Sequence, residues 1–294
     1  MNLLSIFQYI IKVLASINNG GNTNGGEEQI NTGGDMSKVA ICVGINDYPG
    51  TGNDLQGCLN DAKDWGSLLS SKFNFGKVTY LLDKAATWAN VTNALKSAIA
   101  EAKSGDSIAF TYSGHGTSVA DKNNDEPNGK DEAMCLYDKF LIDDDIRPIL
   151  DGVKDGVKLT IVSDSCFSGT VTRALLETIG GCEYKKARYM PPKETDEAIL
   201  TARLPVKSKL FSAENMKEVL ISGCNDKQYS YDAIINGRAN GAMTYYAMQA
   251  VNVNPNASYE EFFAELRKRL PSEEYPQSPQ LEGSTKNLKA NIFA

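Results

Sequence analysis

Ser107-Ile108-Ala109-Phe110-Thr111-Tyr112 runs straight into Ser113-Gly114-His115-Gly116. A short apolar stretch without helical period reads as a buried strand, and the glycine-flanked turn ends it. The stretches 38–45, 78–82, 157–162 and 218–223 read the same way. Helices are predicted over 54–71, from a Thr87 cap to about 102, over 143–150, and near 238–252 and 258–269. Strands that alternate with helices indicate an α/β fold with a mainly parallel sheet flanked by helices.

In such sheets ligands bind beyond the carboxyl ends of the strands. His115 follows the third strand, Cys166 the fourth, and Asp61 lies in the helix after the first, so the order of elements brings all three to one edge. His115 is the sole histidine of the 294 residues, so any imidazole chemistry must use it. A histidine and a cysteine at strand ends are the minimum equipment for thiol-based nucleophilic catalysis. A lone histidine is more often structural, and Cys166 also fits a buried inert thiol. Ser165 and Ser168 compete as nucleophiles, but neither stands in a GxSxG elbow. The tetrahedral intermediate of such a reaction needs backbone N–H donors; Gly116 and the Cys166 amide are the natural ones, because glycine lets a backbone approach closely.

The formal net charge of −7 argues against a nucleic-acid surface and favours basic ligands or peptides. The six cysteines include no CxxC pair, which excludes a zinc or dithiol motif and points to reduced thiols in the cytoplasm. Residues 1–17 read as an amphipathic helix with Leu3, Phe7, Ile10, Ile11 and Leu14 on one face. It is shorter than the ~20 residues of a membrane span and is expected to dock on the domain or a partner. Residues 18–37 read as a flexible Gly/Asn-rich linker, and 38–294 as the main domain. Within it, about 171–215 is irregular, with Arg173, Lys185, Lys186, Arg188, Lys193, Arg203, Lys207 and Lys209. That stretch fits either a surface insertion or a cleavable activation linker.

Several ordered motifs resemble the caspase-like cysteine peptidases, specifically metacaspases and the prokaryotic orthocaspases. They are Val43-Gly44-Ile45-Asn46-Asp47-Tyr48, Leu55-Gln56-Gly57-Cys58-Leu59-Asn60-Asp61-Ala62, Tyr112-Ser113-Gly114-His115-Gly116, Asp131-Glu132-Ala133, Ile142-Asp143-Asp144-Asp145-Ile146, Asp164-Ser165-Cys166-Phe167-Ser168-Gly169 and Ser222-Gly223-Cys224-Asn225-Asp226-Lys227-Gln228-Tyr229-Ser230-Tyr231-Asp232. The resemblance spans roughly 38–252. It implies a three-layer α/β/α sandwich of the caspase type, a Cys166/His115 dyad, and cleavage after Arg or Lys in basic peptide or protein substrates, by a monomer.

Asp61 and Asp164 match the family's acidic S1 positions, with Ser113 as a polar wall. Paired carboxylates bind a guanidinium or ammonium by charge-assisted hydrogen bonds. Without the resemblance, Asp61 reads as a helix-surface carboxylate and Asp164 as a turn residue. Asp143 and Asp144 match a family calcium site, to which Asp125 or Asp131 could add a ligand; with Asp145 they equally suit a helix N-terminus. The acidic ligand expected after the cysteine motif is replaced by Thr170-Val171-Thr172-Arg173, so calcium is an option and no cofactor is required. The alternative to a peptidase is a non-catalytic scaffold or regulator of caspase-like fold; an Asp-specific peptidase would need a basic pocket.

Overall fold

The structure, a computed structural model, describes residues 36–50, 52–121, 129–167, 184–192, 213–225 and 227–294. The expected helix 1–17 and nearly all of the 18–37 linker lie outside the described residues, as does most of 171–215.

Five parallel strands form the core of a six-stranded sheet: β1 (Lys38–Gly44), β2 (Lys77–Leu82), β3 (Ser107–Ser113), β7 (Lys158–Asp164) and β9 (Glu218–Ser222). The spatial order is β12-β9-β7-β3-β1-β2, and β12 (Gln280–Glu282) closes the β9 edge antiparallel. Strand alternation sends successive side chains to opposite faces, and β1 shows the result. Ile41 and Val43 pack into one core with Val91, Leu95 and Ile99 of α2 (Trp88–Glu101) and Ile149 and Leu150 of α3 (Asp143–Leu150). Ala40 and Cys42 face the other core, with Trp65 and Leu69 of α1 (Cys58–Phe73), Met243 and Ala247 of α4 (Ala242–Val253), and Phe262 and Leu266 of α5 (Tyr259–Arg267). Sheet between two helical layers is the three-layer α/β/α sandwich expected. Each fully buried Leu, Ile or Phe contributes about 1.5–3 kcal/mol.

Local chemistry sets the helix ends. Thr87 accepts from the Asn90 amide and starts α2; Ser258 and Glu261 form a reciprocal capping box on α5. The helix expected from 54 begins only at Cys58, where the Asn46 side chain accepts the Cys58 amide. Residues 52–57 are instead a loop above the strand ends.

Two small sheets were not foreseen. One joins β4 (Gly116–Ala120), β5 (Lys130–Cys135) and β6 (Phe140–Ile142); the other joins β8 (Lys185–Ala187), β10 (Tyr231–Ile235) and β11 (Arg238–Gly241). The helix expected from 238 therefore starts at Ala242, and β11 takes its first four positions. The final element, α6, spans Thr285–Leu288. Among the described residues, no helix is long and apolar enough to cross a membrane.

Candidate active site

Ser113 and Asp164 are register partners at the ends of the neighbouring parallel strands β3 and β7. His115 and Cys166 each follow two residues later, so the sheet register delivers both to the same edge. The turn between Ser113 and β4 carries His115. Its amide donates to the Tyr48 hydroxyl at 2.8 Å, and the Tyr48 ring lies 4.9 Å from the imidazole. The imidazole Nε2 is 2.6 Å from the Asn53 carbonyl oxygen. A carbonyl only accepts, so Nε2 carries the proton and the neutral ring keeps its lone pair on Nδ1. Nδ1 is buried and has no hydrogen-bond partner among the described residues. Burial pushes the imidazole pKa down to about 4, against the Asn53 hydrogen bond; the charges of Lys186 and Arg188 push the same way as burial.

Cys166 is fully buried. Its Sγ lies 2.7 Å from the Ser230 amide, which donates to it, and 3.2 Å from the Ser230 carbonyl. Cys42, Cys135 and Cys224 are buried, as expected of core residues. Cys224 packs beside Cys166 in a small cluster with Ala187 and Tyr229. Its hydrogen bond with Cys166, and then burial, hold the Cys224 thiol well above the usual range, so it stays protonated. Gly116 is required by contact: a Cβ there would sit 2.1 Å from the Cys166 carbonyl oxygen.

The acidic residues converge as expected, joined by one that sequence reasoning did not place in the pocket. Asp61, Asp164 and Asp232 are all buried. Asp61 accepts from Ser113 Oγ at 2.6 Å, Asn240 Nδ2 at 2.9 Å and the Gly241 amide at 3.0 Å. Asp164 accepts from the amide and hydroxyl of Thr244 at 2.9 and 2.8 Å, and from the Ser230 hydroxyl. Asp232 accepts the amides of Gln56 and Gly57 at 2.7 and 2.9 Å. These donors hold the carboxylates in place but carry no charge. Burial raises the Asp61 pKa, and the Arg188 guanidinium opposes the rise.

That guanidinium fills the pocket. Arg188 Nη2 lies 2.6 Å from Asp61 Oδ2 and 2.9 Å from Asp232 Oδ1. Nη1 lies 2.6 Å from Ser113 Oγ, 3.0 Å from the Asp164 carbonyl and 3.3 Å from Asp164 Oδ2. The backbone is seated too. The Arg188 carbonyl oxygen accepts the amides of both Gly116, at 2.9 Å, and Cys166, at 3.2 Å. These are the two donors that the sequence singled out for an oxyanion.

On one side of Arg188, β8 pairs antiparallel with β10, and the Arg188 amide donates to Ser230 O at 2.9 Å. On the other side, the Met190 amide donates to Gly116 O at 3.0 Å. Residues 184–190 thus cross the site as an added strand, the way extended peptides dock on sheet edges. A surface insertion does not describe this part of 171–215, since Arg188 has no solvent exposure. In the sequence Arg188 is one basic residue among eight, and Asp232 the last residue of a motif. No local signal separates Arg188 from its neighbours; an acid at the start of a strand, as at Asp232, could have been questioned.

Asp143 and Asp144 sit with Asp145 in the first turn of α3. Asp143 Oδ1 accepts the Asp144 amide at 3.0 Å and Asp145 Oδ2 lies 3.3 Å from Trp88 Nε1, uses that suit a helix N-terminus. Among the described residues no three His, Cys, Asp or Glu side chains gather to hold a metal ion. Asp125 lies outside the described residues.

The family profile described as "Metacaspase, peptidase C14 domain" matches residues 38–175. Metacaspase-1 of Scheffersomyces stipitis is 31% identical over 290 residues, covering 84% of this chain and 70% of that protein. The chain belongs to the metacaspase family. Metacaspase-4 of Arabidopsis thaliana is similar too, 35% identical over 197 residues, 64% of this chain and 47% of that one. Among solved structures, a protein of Geobacter sulfurreducens superposes with a TM-score of 0.67 at 30% identity, covering 88% of this chain and 98% of its own. Caspase-1 of Spodoptera frugiperda shares the fold at a TM-score of 0.52 and 10% identity, over 90% and 94% of the two chains. As a metacaspase the chain is a cysteine-type endopeptidase, and its partners are peptide or protein substrates.

Proposed function

We propose that this metacaspase cuts on the carboxyl side of Arg or Lys, with Cys166 as nucleophile and His115 as proton carrier, and that its own Arg188–Tyr189 bond is a substrate. One observation carries the reading. Arg188 has its guanidinium among three carboxylates while its carbonyl oxygen rests on the amides of Gly116 and Cys166. One residue thereby fills a specificity pocket and an oxyanion site together.

The chemistry follows from those positions. His115 Nδ1 takes the Cys166 thiol proton, and the thiolate attacks the Arg188 carbonyl carbon. The carbonyl oxygen becomes an oxyanion on the two amides that already hold it, the preorganisation that lowers such barriers most. His115 then gives its proton to the Tyr189 nitrogen as the C–N bond breaks. Water, deprotonated by His115, attacks the thioester, frees the Arg188 carboxylate and restores the thiol. The Asn53 carbonyl orients the imidazole throughout, so no third side chain is needed. A lysine ammonium fits the same carboxylates as a point charge, while an acidic side chain is repelled.

No step involves a metal ion. A single chain supplies every residue of the site, so a monomer suffices. The free buried thiols Cys42, Cys58, Cys135, Cys166 and Cys224 suit a reducing compartment such as the cytoplasm.

The test has two arms, each run with and without calcium. Fluorogenic peptides with P1 Arg, Lys or Asp are offered to wild type and Cys166→Ala; cleavage after Arg and Lys by wild type alone is expected. Mass spectrometry of the wild-type chain should find a new N-terminus at Tyr189, absent in Cys166→Ala and in Arg188→Gln. Preference for Asp, or an intact wild-type chain, counts against the proposal.

A further inference from the structure

The seated segment also shows where the residues before P1 go. If Arg188 is P1, as proposed above, then Ala187, Lys186 and Lys185 are P2, P3 and P4. Ala187 is buried against Cys166, Cys224 and Tyr229, which leaves room for a small side chain. Lys186 and Lys185 point to opposite sides of the strand, and each ammonium meets a built surface. Lys186 Nζ donates to the carbonyls of Gly52, at 2.7 Å, and Asp54, at 2.9 Å. Lys185 Nζ stands 4.4 Å from the centroid of the Tyr231 ring and 5.1 Å from that of Tyr275, and it donates to the Glu274 carbonyl. The two rings lie 6.3 Å apart, an aromatic corner of the kind that favours cations.

We propose that this peptidase reads a run of basic residues, taking a cation at P3 on the Gly52–Asp54 carbonyls and a cation at P4 on the Tyr231/Tyr275 corner, ahead of P1 Arg. Its substrates are then basic segments of the form Lys-Lys-small-Arg. The chain's net charge of −7 favours the approach of such segments.

The P3 contact has a second consequence. The carbonyls that hold Lys186 flank Asn53, whose own carbonyl holds His115 Nε2. A P3 cation ties down the residues on both sides of the group that orients the imidazole. Gly52 and Asp54 therefore bind, and through Asn53 they position. The P4 corner lies on the other side of the strand from the Gly52–Asp54 carbonyls that flank Asn53, and serves binding.

The experiment is a panel of internally quenched peptides, Lys-Lys-Ala-Arg-Tyr and its variants, on the full wild-type chain. Norleucine, which keeps the length of lysine and removes its charge, replaces P4, P3 or both. Each single replacement should lower kcat/KM about three- to tenfold, the P4 loss appearing in KM and the P3 loss largely in kcat. In Tyr231→Leu, the Lys-to-norleucine preference at P4 should fall towards one. A ratio does not depend on the fraction of folded enzyme, so a damaged variant still reports.

Unchanged kcat/KM with norleucine at both positions overturns the subsites and leaves Arg/Lys cleavage standing. A P3 loss confined to KM overturns the link to His115. Failure to cut any Arg peptide strikes the P1 assignment itself and takes the subsites with it.

Discussion

At the residue scale, burial first, and then the Lys186 and Arg188 charges, set how His115 titrates. The buried imidazole has a pKa near 4, against an ordinary value of 6.5. Above pH 6.5 the ring is neutral in folded and unfolded chain alike. Below it, the unfolded chain takes up a proton that the folded chain refuses until about pH 4. Stability should therefore be lost as pH falls through that window, by at most about 1.4 kcal/mol per unit from this group. Thermal unfolding between pH 7 and 4 checks this, and His115→Gln should show a shallower fall; the same variant should have no turnover, since no other histidine can substitute. Arg188 is the only cation hydrogen-bonded to Asp61 and Asp232 among the described residues. Arg188→Gln leaves buried carboxylates uncompensated and should cost about 3 kcal/mol by chemical denaturation. Arg188→Lys should recover much of that loss.

At the element scale, the turn that carries His115 and the strand end that carries Cys166 touch through backbone. Gly116→Ala places a Cβ 2.1 Å from the Cys166 carbonyl oxygen, so one of the two must move. A displaced amide donor costs catalysis more than folding. Turnover of an Arg peptide should fall about a hundredfold or more while the denaturation midpoint changes modestly. Ser258→Ala on α5 should do the reverse, losing about 1 kcal/mol of stability with kcat/KM unchanged.

The same contrast separates what could be read in the sequence from what could not. The parallel strands β1, β3, β7 and β9 announce themselves as continuous apolar runs because both of their faces are covered, while the edge strand β2 is only half-buried. Asp61, Ser113, Gly116, Asp164 and Cys166 could be placed because they end or follow those strands, or lie in the helix after the first of them. The strands β8, β10 and β11 are short; β8 pairs with β10 from a distant part of the sequence, whereas β10 and β11 form a hairpin on Asn236-Gly237, both at positive φ, a local turn signal. Asn240 and Gly241 stay out of the helix because Asn240 Nδ2 and the Gly241 amide are bound to Asp61, a tertiary demand that no local pattern reveals.

At the scale of the whole molecule, an acidic chain acts on basic segments. Exposed charges attract over roughly 10 Å at about 0.1 M salt, and added salt shortens that reach. Raising salt from about 0.05 to 0.5 M should therefore lower kcat/KM several-fold for a peptide with three basic residues, and less for one with P1 Arg alone. Self-cleavage at Arg188–Tyr189 starts with the bond already in the site and should not respond. Parallel rate measurements on one preparation separate the two. Dilution offers the same comparison: a bond held by its own chain is cut with first-order kinetics at any protein concentration.

The seated strand is also a template for chemists. Residues 185–188, Lys-Lys-Ala-Arg, already show the pose that an inhibitor must copy, down to the oxygen held by the amides of Gly116 and Cys166. An acetylated tetrapeptide of that sequence ending in an arginine aldehyde would let the Cys166 thiol add reversibly to its terminal carbon, with the new hemithioacetal oxygen where the Arg188 oxygen now lies. Such a compound would compete with the chain's own segment for one groove, so it should act faster on chains already cut at Arg188 than on intact ones.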